Sequence, residues 1–229
     1  MKKIIFIIAT TLFLSPAFSQ SVYKITIDDK GTLESFAFEV EPNIILNINA
    51  TGNIINWGYD VYKDRGGENY TGKLDNYVGR VEYYTENDNE AFRGKIKYIG
   101  RTLITWYASY ENDAFKGKIK SIGSSNITYY DTYEDEASRS KLKTIGSNSI
   151  SWYAAYDNEA LRGKLRSVGA AQISYFSSNE DKAFRGKLKS LNGSAFTYYS
   201  SYDQPEYRGR IKTGTQIQFI NGIKYFVKN

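Results

Sequence analysis

From residue 92 onward the chain repeats itself every 23 residues: FRGKIKYIG starts at Phe92, FKGKIKSIG at Phe115, SRSKLKTIG at Ser138, LRGKLRSVG at Leu161, FRGKLKSLN at Phe184 and YRGRIKTGT at Tyr207. A degenerate copy, YTGKLDNYVG, opens one residue off the period at Tyr70 and brings the array to about seven units over residues 70–229. A fixed period of this length restricts the fold to an array of identical supersecondary units, each completing its core against its neighbours.

Each unit reads as two strands. In the unit of Phe92, one run alternates Phe92, Gly94, Ile96 and Tyr98 with Arg93, Lys95 and Lys97, and a second alternates Ile104, Trp106, Ala108 and Tyr110 with Thr105, Tyr107 and Ser109. Period-two alternation of β-branched and aromatic residues between Gly and Asn/Asp/Glu clusters is the signature of strands and hairpins. The sequence therefore predicts an all-β fold, an antiparallel meander of β-hairpins forming an elongated, curved single-layer sheet. Setting Tyr98 opposite Ile104 and Trp106 opposite Ile119 keeps the apolar side chains on one face, and a slip by one residue would invert every side chain. The glycines at 72, 94, 117, 163, 186 and 209 then fall in mid-strand, where glycine normally weakens a strand. Ser140 takes that position once, which argues for small size there rather than a left-handed backbone.

The same register lays cations on the opposite face. Arg93, Lys95, Lys97, Lys116, Lys118, Lys120, Arg139, Lys141, Lys143, Arg162, Lys164, Arg166, Arg185, Lys187, Lys189, Arg208, Arg210 and Lys212 supply three per unit, and Tyr107, Tyr130, Tyr153, Phe176 and Tyr199 stand among them. Alternate strands lie about 9.5 Å apart, close to the Debye length at physiological salt, so neighbouring rows reinforce one another. This basic, aromatic face is the candidate binding surface. Its expected partners are an anionic polysaccharide, lipopolysaccharide, a membrane surface or an acidic protein, with nucleic acid the least favoured.

Composition narrows the chemistry. The 229 residues hold 21 Tyr, 12 Phe and 3 Trp but neither His nor Cys, which excludes His-based triads, thiol nucleophiles, disulfides and Cys or His metal sites. Acidic clusters such as Glu111-Asn112-Asp113 and Glu134-Asp135-Glu136 recur between units, as turn-forming residues do. They lack the glycine-spaced pattern of a calcium loop. Glycoside hydrolysis needs two acids about 5 to 9.5 Å apart in a cleft; acids repeated at every loop tip do not suit it. The expectation is a non-enzyme with no cofactor and no metal.

Residues 1–19 begin with Lys2 and Lys3, continue through an apolar run from Ile4 to Leu14 and end on Ala17-Phe18-Ser19, the order of a secretory signal. No Cys follows, so a lipoprotein is excluded, and the expected location is the periplasm, cell envelope or exterior. Removing this segment lowers the formal charge from +5 to +3. Residues 20–69 differ from the array and read as an N-terminal β cap, with strands over Val22–Ile27, Thr32–Val40 and Ile44–Ile48 and an eroded repeat strand over Ile54–Tyr59. The chain closes on a hairpin from Gln216 to Lys228 around Asn221-Gly222, a strong turn signal.

The apolar face requires cover, since long contiguous apolar surface marks association. Curling of the sheet on itself, residues 20–69, a second copy of the chain or lipid are the options, the last implying an outer-membrane β-barrel. Units opening on Tyr70-Thr71-Gly72, Phe92-Arg93-Gly94, Phe115-Lys116-Gly117, Phe184-Arg185-Gly186 and Tyr207-Arg208-Gly209 resemble MORN repeats, whose units open on Tyr-x-Gly and stack into a curved sheet. The second half of each unit departs from that pattern, with strands such as Ile127-Thr128-Tyr129-Tyr130. The chain also resembles secreted repeat proteins of Bacteroidota carrying Gly-Lys-Ile-Lys-Ser-Ile-Gly strings. Both resemblances imply a scaffold and name no ligand.

Overall fold

The computed structural model describes residues 21–60 and 73–228; the signal-like segment and the first repeat opening, Tyr70-Thr71-Gly72, lie outside the described residues. All regular structure among them is β, in mostly antiparallel open sheets, and neither large sheet closes into a barrel.

Near the N-terminus run β1 (Val22–Asp28), β2 (Leu33–Glu41), β3 (Ile44–Ile48) and β4 (Ile54–Tyr59). The array begins with β5 (Val81–Tyr83) and continues through the hairpins β6 (Ile96–Ile99) and β7 (Thr102–Trp106), β8 (Ile119–Ile122) and β9 (Ser125–Tyr129), β10 (Leu142–Ile145) and β11 (Asn148–Trp152), β12 (Leu165–Val168) and β13 (Ala171–Tyr175), and β14 (Leu188–Leu191) and β15 (Ser194–Ala195). It ends with β16 (Thr197–Tyr198) and β17 (Ile211–Thr213), and a last hairpin of β18 (Ile217–Ile220) and β19 (Ile223–Lys228) follows. Strands β5 to β15 form one 11-stranded meander, each bonded to its neighbours in sequence, while β16 pairs only with β17.

The last hairpin leaves the array. Strand β19 lies parallel to β1, giving a 6-stranded sheet in the order β18-β19-β1-β2-β3-β4. Strand β4, expected as an eroded repeat strand, pairs with β3 in this sheet instead. The two large sheets share one core: Phe36, Phe38, Leu46, Ile48 and Tyr225 join Ile99, Ile104, Ile119, Leu142, Leu165 and Leu188 in a single cluster. Turns and a strand end of the smaller sheet dock on alternate repeats. Thr102 Oγ1 donates to the Val40 carbonyl, Leu142 N donates to Ala50 O at 2.8 Å, and Lys187 pairs with Asp29 at 2.9 Å. Two layers therefore stand where a single-layer sheet was expected, and the cover over the apolar face comes from both ends of the chain.

Register differs from expectation by a β-bulge in every unit. Trp106 does face Ile119, but Thr105 pairs with Ser121 and Ile104 with Ile122, which leaves Lys120 as the extra residue. Across the hairpin turn Tyr98 faces Leu103, not Ile104. The bulge sends Ile96 and Ile99 inward together, as it does Ile119 and Ile122, Leu142 and Ile145, Leu165 and Val168, and Leu188 and Leu191. Tyr98, expected on the apolar face, consequently leaves it, and so does its counterpart in each later unit. Tyr110, also expected there, is 86% exposed.

The recurring glycine lies in a turn ahead of the strand, with a left-handed backbone. Gly94, Gly117, Gly163, Gly186 and Gly209 have φ of 70°, 70°, 68°, 74° and 75°, and Ser140 has φ of 64°. Its amide bonds back to the preceding strand in each case, as Gly117 N does to Tyr107 O at 3.0 Å and Ser140 N to Tyr130 O at 3.0 Å. The inference of small size alone is thus corrected: conformation selects glycine, and Ser140 bears the left-handed strain. Nothing lies within 4 Å of a Cβ placed on Gly94, so Gly94→Ala isolates that strain and is expected to cost about 1 kcal/mol. Ser140→Gly is expected to raise the urea midpoint modestly; a lowered midpoint would show that the serine side chain matters more than the backbone.

Candidate functional site

The expected basic face resolves into three rows with different surroundings. The first comprises Lys95, Lys118, Lys141, Lys164 and Lys187, all half-buried. Each ammonium lies over a ring of the buried ladder, at 4.7 Å for Lys95 on Trp106, 4.8 Å for Lys118 on Tyr129 and Lys141 on Trp152, 5.2 Å for Lys164 on Tyr175 and 5.3 Å for Lys187 on Tyr198. Each also donates to a carbonyl. Lys95 bonds Gly117 O; Lys118, Lys141 and Lys187 reach Ser140 O, Gly163 O and Gly209 O at 2.5, 2.6 and 2.6 Å. Lys164 turns instead to Lys30 O of the smaller sheet at 2.7 Å. Burial pulls down the ammoniums of Lys95, Lys118, Lys141 and Lys164, that of Lys118 to about 8, and the ring and the carbonyl supply the compensation a partly dehydrated cation requires. Arg210 takes the same place in the last unit and is exposed.

The second row is Lys97, Lys120, Lys143, Arg166, Lys189 and Lys212, on the bulge. Lys120 stands 5.1 Å above the Tyr107 ring, Lys143 5.2 Å above Tyr130, Arg166 5.5 Å above Tyr153, Lys189 5.3 Å above Phe176 and Lys212 5.5 Å above Tyr199. From Lys120 onward these side chains belong to exposed residues. Beside them runs a ladder of hydroxyl pairs, Thr105 with Ser121, Thr128 with Thr144, Ser151 with Ser167, Ser174 with Ser190 and Thr197 with Thr213, each at 2.6 Å. The rings are half-buried and brace one unit to the next: the hydroxyls of Tyr107, Tyr130 and Tyr153 donate to the carbonyls of Ile127, Ile150 and Ile173 at 2.9, 2.9 and 3.1 Å.

The third row, Arg93, Lys116, Arg139, Arg162, Arg185 and Arg208, is exposed beside the inter-unit turns. The Nε atoms of Arg93, Arg162 and Arg208 donate to the carbonyls of Asp88, Asp157 and Asp203 at 3.0, 3.0 and 2.8 Å.

The acidic turns have a structural reading. An acid closes each turn by accepting the amide three residues earlier: Glu111 from Ala108, Glu134 from Asp131, Asp157 from Ala154 and Asp203 from Ser200, each at 2.6 Å. The free oxygens of Glu111, Glu134 and Glu180 pair with Lys120, Lys143 and Lys189 at 2.8, 2.7 and 3.0 Å. The next Asn or Asp staples units together. Asn89 Oδ1 accepts from Ala91 N and from Ser109 N of the following turn, both at 3.0 Å, and Asn158 does the same with Ala160 and Ser178 at 3.1 and 2.9 Å. Among the described residues no group of three acids converges as a metal site would require. A cleft beside the array is lined in part by Glu41, Tyr59, Asp75, Tyr77 and Arg101; Glu41 and Arg101 face each other at 3.8 Å.

The hydroxyl ladder escaped the sequence reading. Its signal was available: Ser121, Thr144, Ser167 and Ser190 recur at the position of Tyr98, immediately before an aliphatic residue. In comparisons with known proteins the chain matches no family model, no curated protein and no solved structure.

The turn acids fix the sign of the acid response. Hydrogen bonds from Lys143 and the Asp131 amide hold Glu134 below the usual carboxylate range, and those from Thr85 and Ser200 do so for Asp88 and Asp203. A carboxyl depressed in the folded state stabilises it above the unfolded pKa, and that contribution is lost as pH falls through the folded value. The urea midpoint is expected to hold from neutrality to about pH 5 and then decline. Glu134→Gln should lower it slightly at pH 7, where the bond to Lys143 is lost, and leave the two proteins converging in acid, so that the variant shows the smaller acid-induced drop.

Proposed function

We propose that the protein is an exported, non-catalytic repeat scaffold that binds an anionic envelope polymer, of the acidic polysaccharide or lipopolysaccharide kind, across the outer face of its repeat sheet. One observation carries this reading: the exposed cations Lys120, Lys143, Arg166, Lys189 and Lys212 recur once per unit, each held over an aromatic ring beside a hydroxyl pair. A cation fixed on a ring gives up little side-chain freedom on binding, and a row repeated at about 9.5 Å presents an extended polyanion with the same contact at each step.

Within this reading the array comprises about seven units that open from residue 70 onward, the last of them giving only β17 to it, residues 20–69 cap it together with the final hairpin that joins their sheet, and residues 1–19 direct export. The acids that close the turns support the absence of catalysis, because their oxygens are committed to backbone amides and to lysines in a geometry repeated from unit to unit, whereas a hydrolytic site would set one pair apart.

The division into rows dictates the test. Neutralising Lys95, Lys118 and Lys141 would confuse binding with stability, since their ammoniums are internal. Replacing Lys120, Lys143 and Lys189 by Gln touches the exposed row and its surface ion pairs with Glu111, Glu134 and Glu180, which contribute little to stability. The wild-type protein should be retained on immobilised heparin and lipopolysaccharide, and the triple variant should elute at clearly lower salt with its melting temperature nearly unchanged. Equal retention of the two proteins would sink the proposal.

A further inference from the structure

A second set of rings lies on the turns rather than on the sheet face. Tyr110, Tyr133, Tyr156 and Tyr202 occupy the third position of the same four-residue inter-unit turn and are 86%, 94%, 86% and 94% exposed. They are the most exposed aromatic side chains among the described residues, and rings this open contribute almost nothing to the core. Nor does the turn require them: Asn87 and Asn179 fill the same place in other units, and asparagine is the better turn former. Tyrosine here serves neither packing nor turn formation.

The backbone beneath the rings is firmly set. Each of these turns is closed by the acid that follows its tyrosine, Glu111, Glu134, Asp157 and Asp203. Asp135 ties the turn of Tyr133 to that of Tyr156 by accepting from Ala155 N at 3.0 Å, and Asp181 accepts from Ser201 N at 3.1 Å. Tyr110, Tyr133 and Tyr156 thus stand on one edge of the array at intervals of two strands, about 9.5 Å. Tyr202 lies two units further along.

Spacing and charge select the occupant. The rings are separated by polar turn residues and form no continuous apolar patch, so they lack the dry centre of a protein interface. The exposed acids between them, Asp113, Glu136 and Glu159, are matched by the exposed Lys116, Arg139 and Arg162 beside the same turns, so the edge carries no net charge to draw in a nucleic acid or an acidic glycan. What remains is an uncharged extended polymer that offers flat C–H faces to successive rings and hydroxyl groups to the carboxylates between them. We infer that this edge is a stacking platform for a neutral polysaccharide, separate from the basic face and independent of the polyanion reading.

Affinity electrophoresis in native gels containing hydroxyethyl cellulose, xyloglucan, mannan or dextran tests it. The wild-type protein should be retarded by at least one of these, with little dependence on salt. Joint replacement of Tyr110, Tyr133 and Tyr156 by Ala should weaken that binding about tenfold or more, as loss of clustered aromatic contacts does, without lowering the melting temperature. Asn179→Tyr, which would join Tyr156 to Tyr202 in an unbroken row, should strengthen it. Absence of retardation by all four polymers, or equal retardation of the triple variant, overturns the inference. A triple variant that differs from wild type only in sedimentation overturns it too, by assigning the rings to self-association. The Lys120, Lys143 and Lys189 variant should retain neutral-glycan binding, so this inference and the polyanion proposal fail separately.

Discussion

A lysine directed along the array rather than away from it fastens each unit to the next. Lys118 lies on the Tyr129 ring of its own hairpin and donates to the Ser140 carbonyl of the following unit, and Lys95, Lys141 and Lys187 repeat the contact. The acceptor is the left-handed residue of the next turn, whose amide bonds the preceding strand in the opposite direction. A short array cannot draw stability from units that fold alone, so these contacts between units are where its cooperativity resides. They also explain why the repeat holds lysine at a half-buried position: the long stem covers the ring while the head finds an oxygen 22 residues away.

The smaller sheet relieves a different constraint. A one-sided sheet with Ile, Leu and Trp on its inner face needs a partner layer, and both ends of the chain supply it. Because β19 enters beside β1, the sheet is complete only after the whole array has been made, a parallel pairing over nearly the full length of the chain. Where β1 would otherwise present an open edge it gains a strand, which removes a template for misplaced pairing. With the layer in place, the repeats' apolar face is not available to lipid or to a second copy.

Much of this was legible in the sequence, and the rest was hidden for identifiable reasons. The 23-residue period, the two strands per unit, the inward course of Ile104, Trp106 and Ala108, and the Asn221-Gly222 hairpin follow from local pattern. The bulge was concealed because strict alternation was carried through Lys97 to Tyr98. The spacing of three between Ile119 and Ile122, or Leu142 and Ile145, is the mark of an inserted residue, with the serine or threonine between them turned outward. The glycine was misjudged because one serine in its place looked like tolerance, whereas that serine adopts the same left-handed backbone. No local signal could join Val22–Asp28 to Ile223–Lys228, since their pairing is decided by the array's length.

Charge in this molecule cannot be read from residue type alone. Three cations per unit suggested one basic face, yet one row faces inward onto rings and carbonyls, another caps turns, and only the bulge row combines exposure with a fixed aromatic seat. The acids divide likewise, between backbone amides, lysines and solvent. Two surfaces of different character result: a sheet face with ring-mounted cations and hydroxyl pairs, and a turn edge with bare tyrosines among balanced charges. Both arise from one 23-residue unit, because each unit contributes one cation to the face and, where tyrosine stands at the turn, one ring to the edge. Recognition by such an array grows with the number of units engaged rather than with the strength of any single contact, which suits a polymeric ligand whose own chemistry repeats.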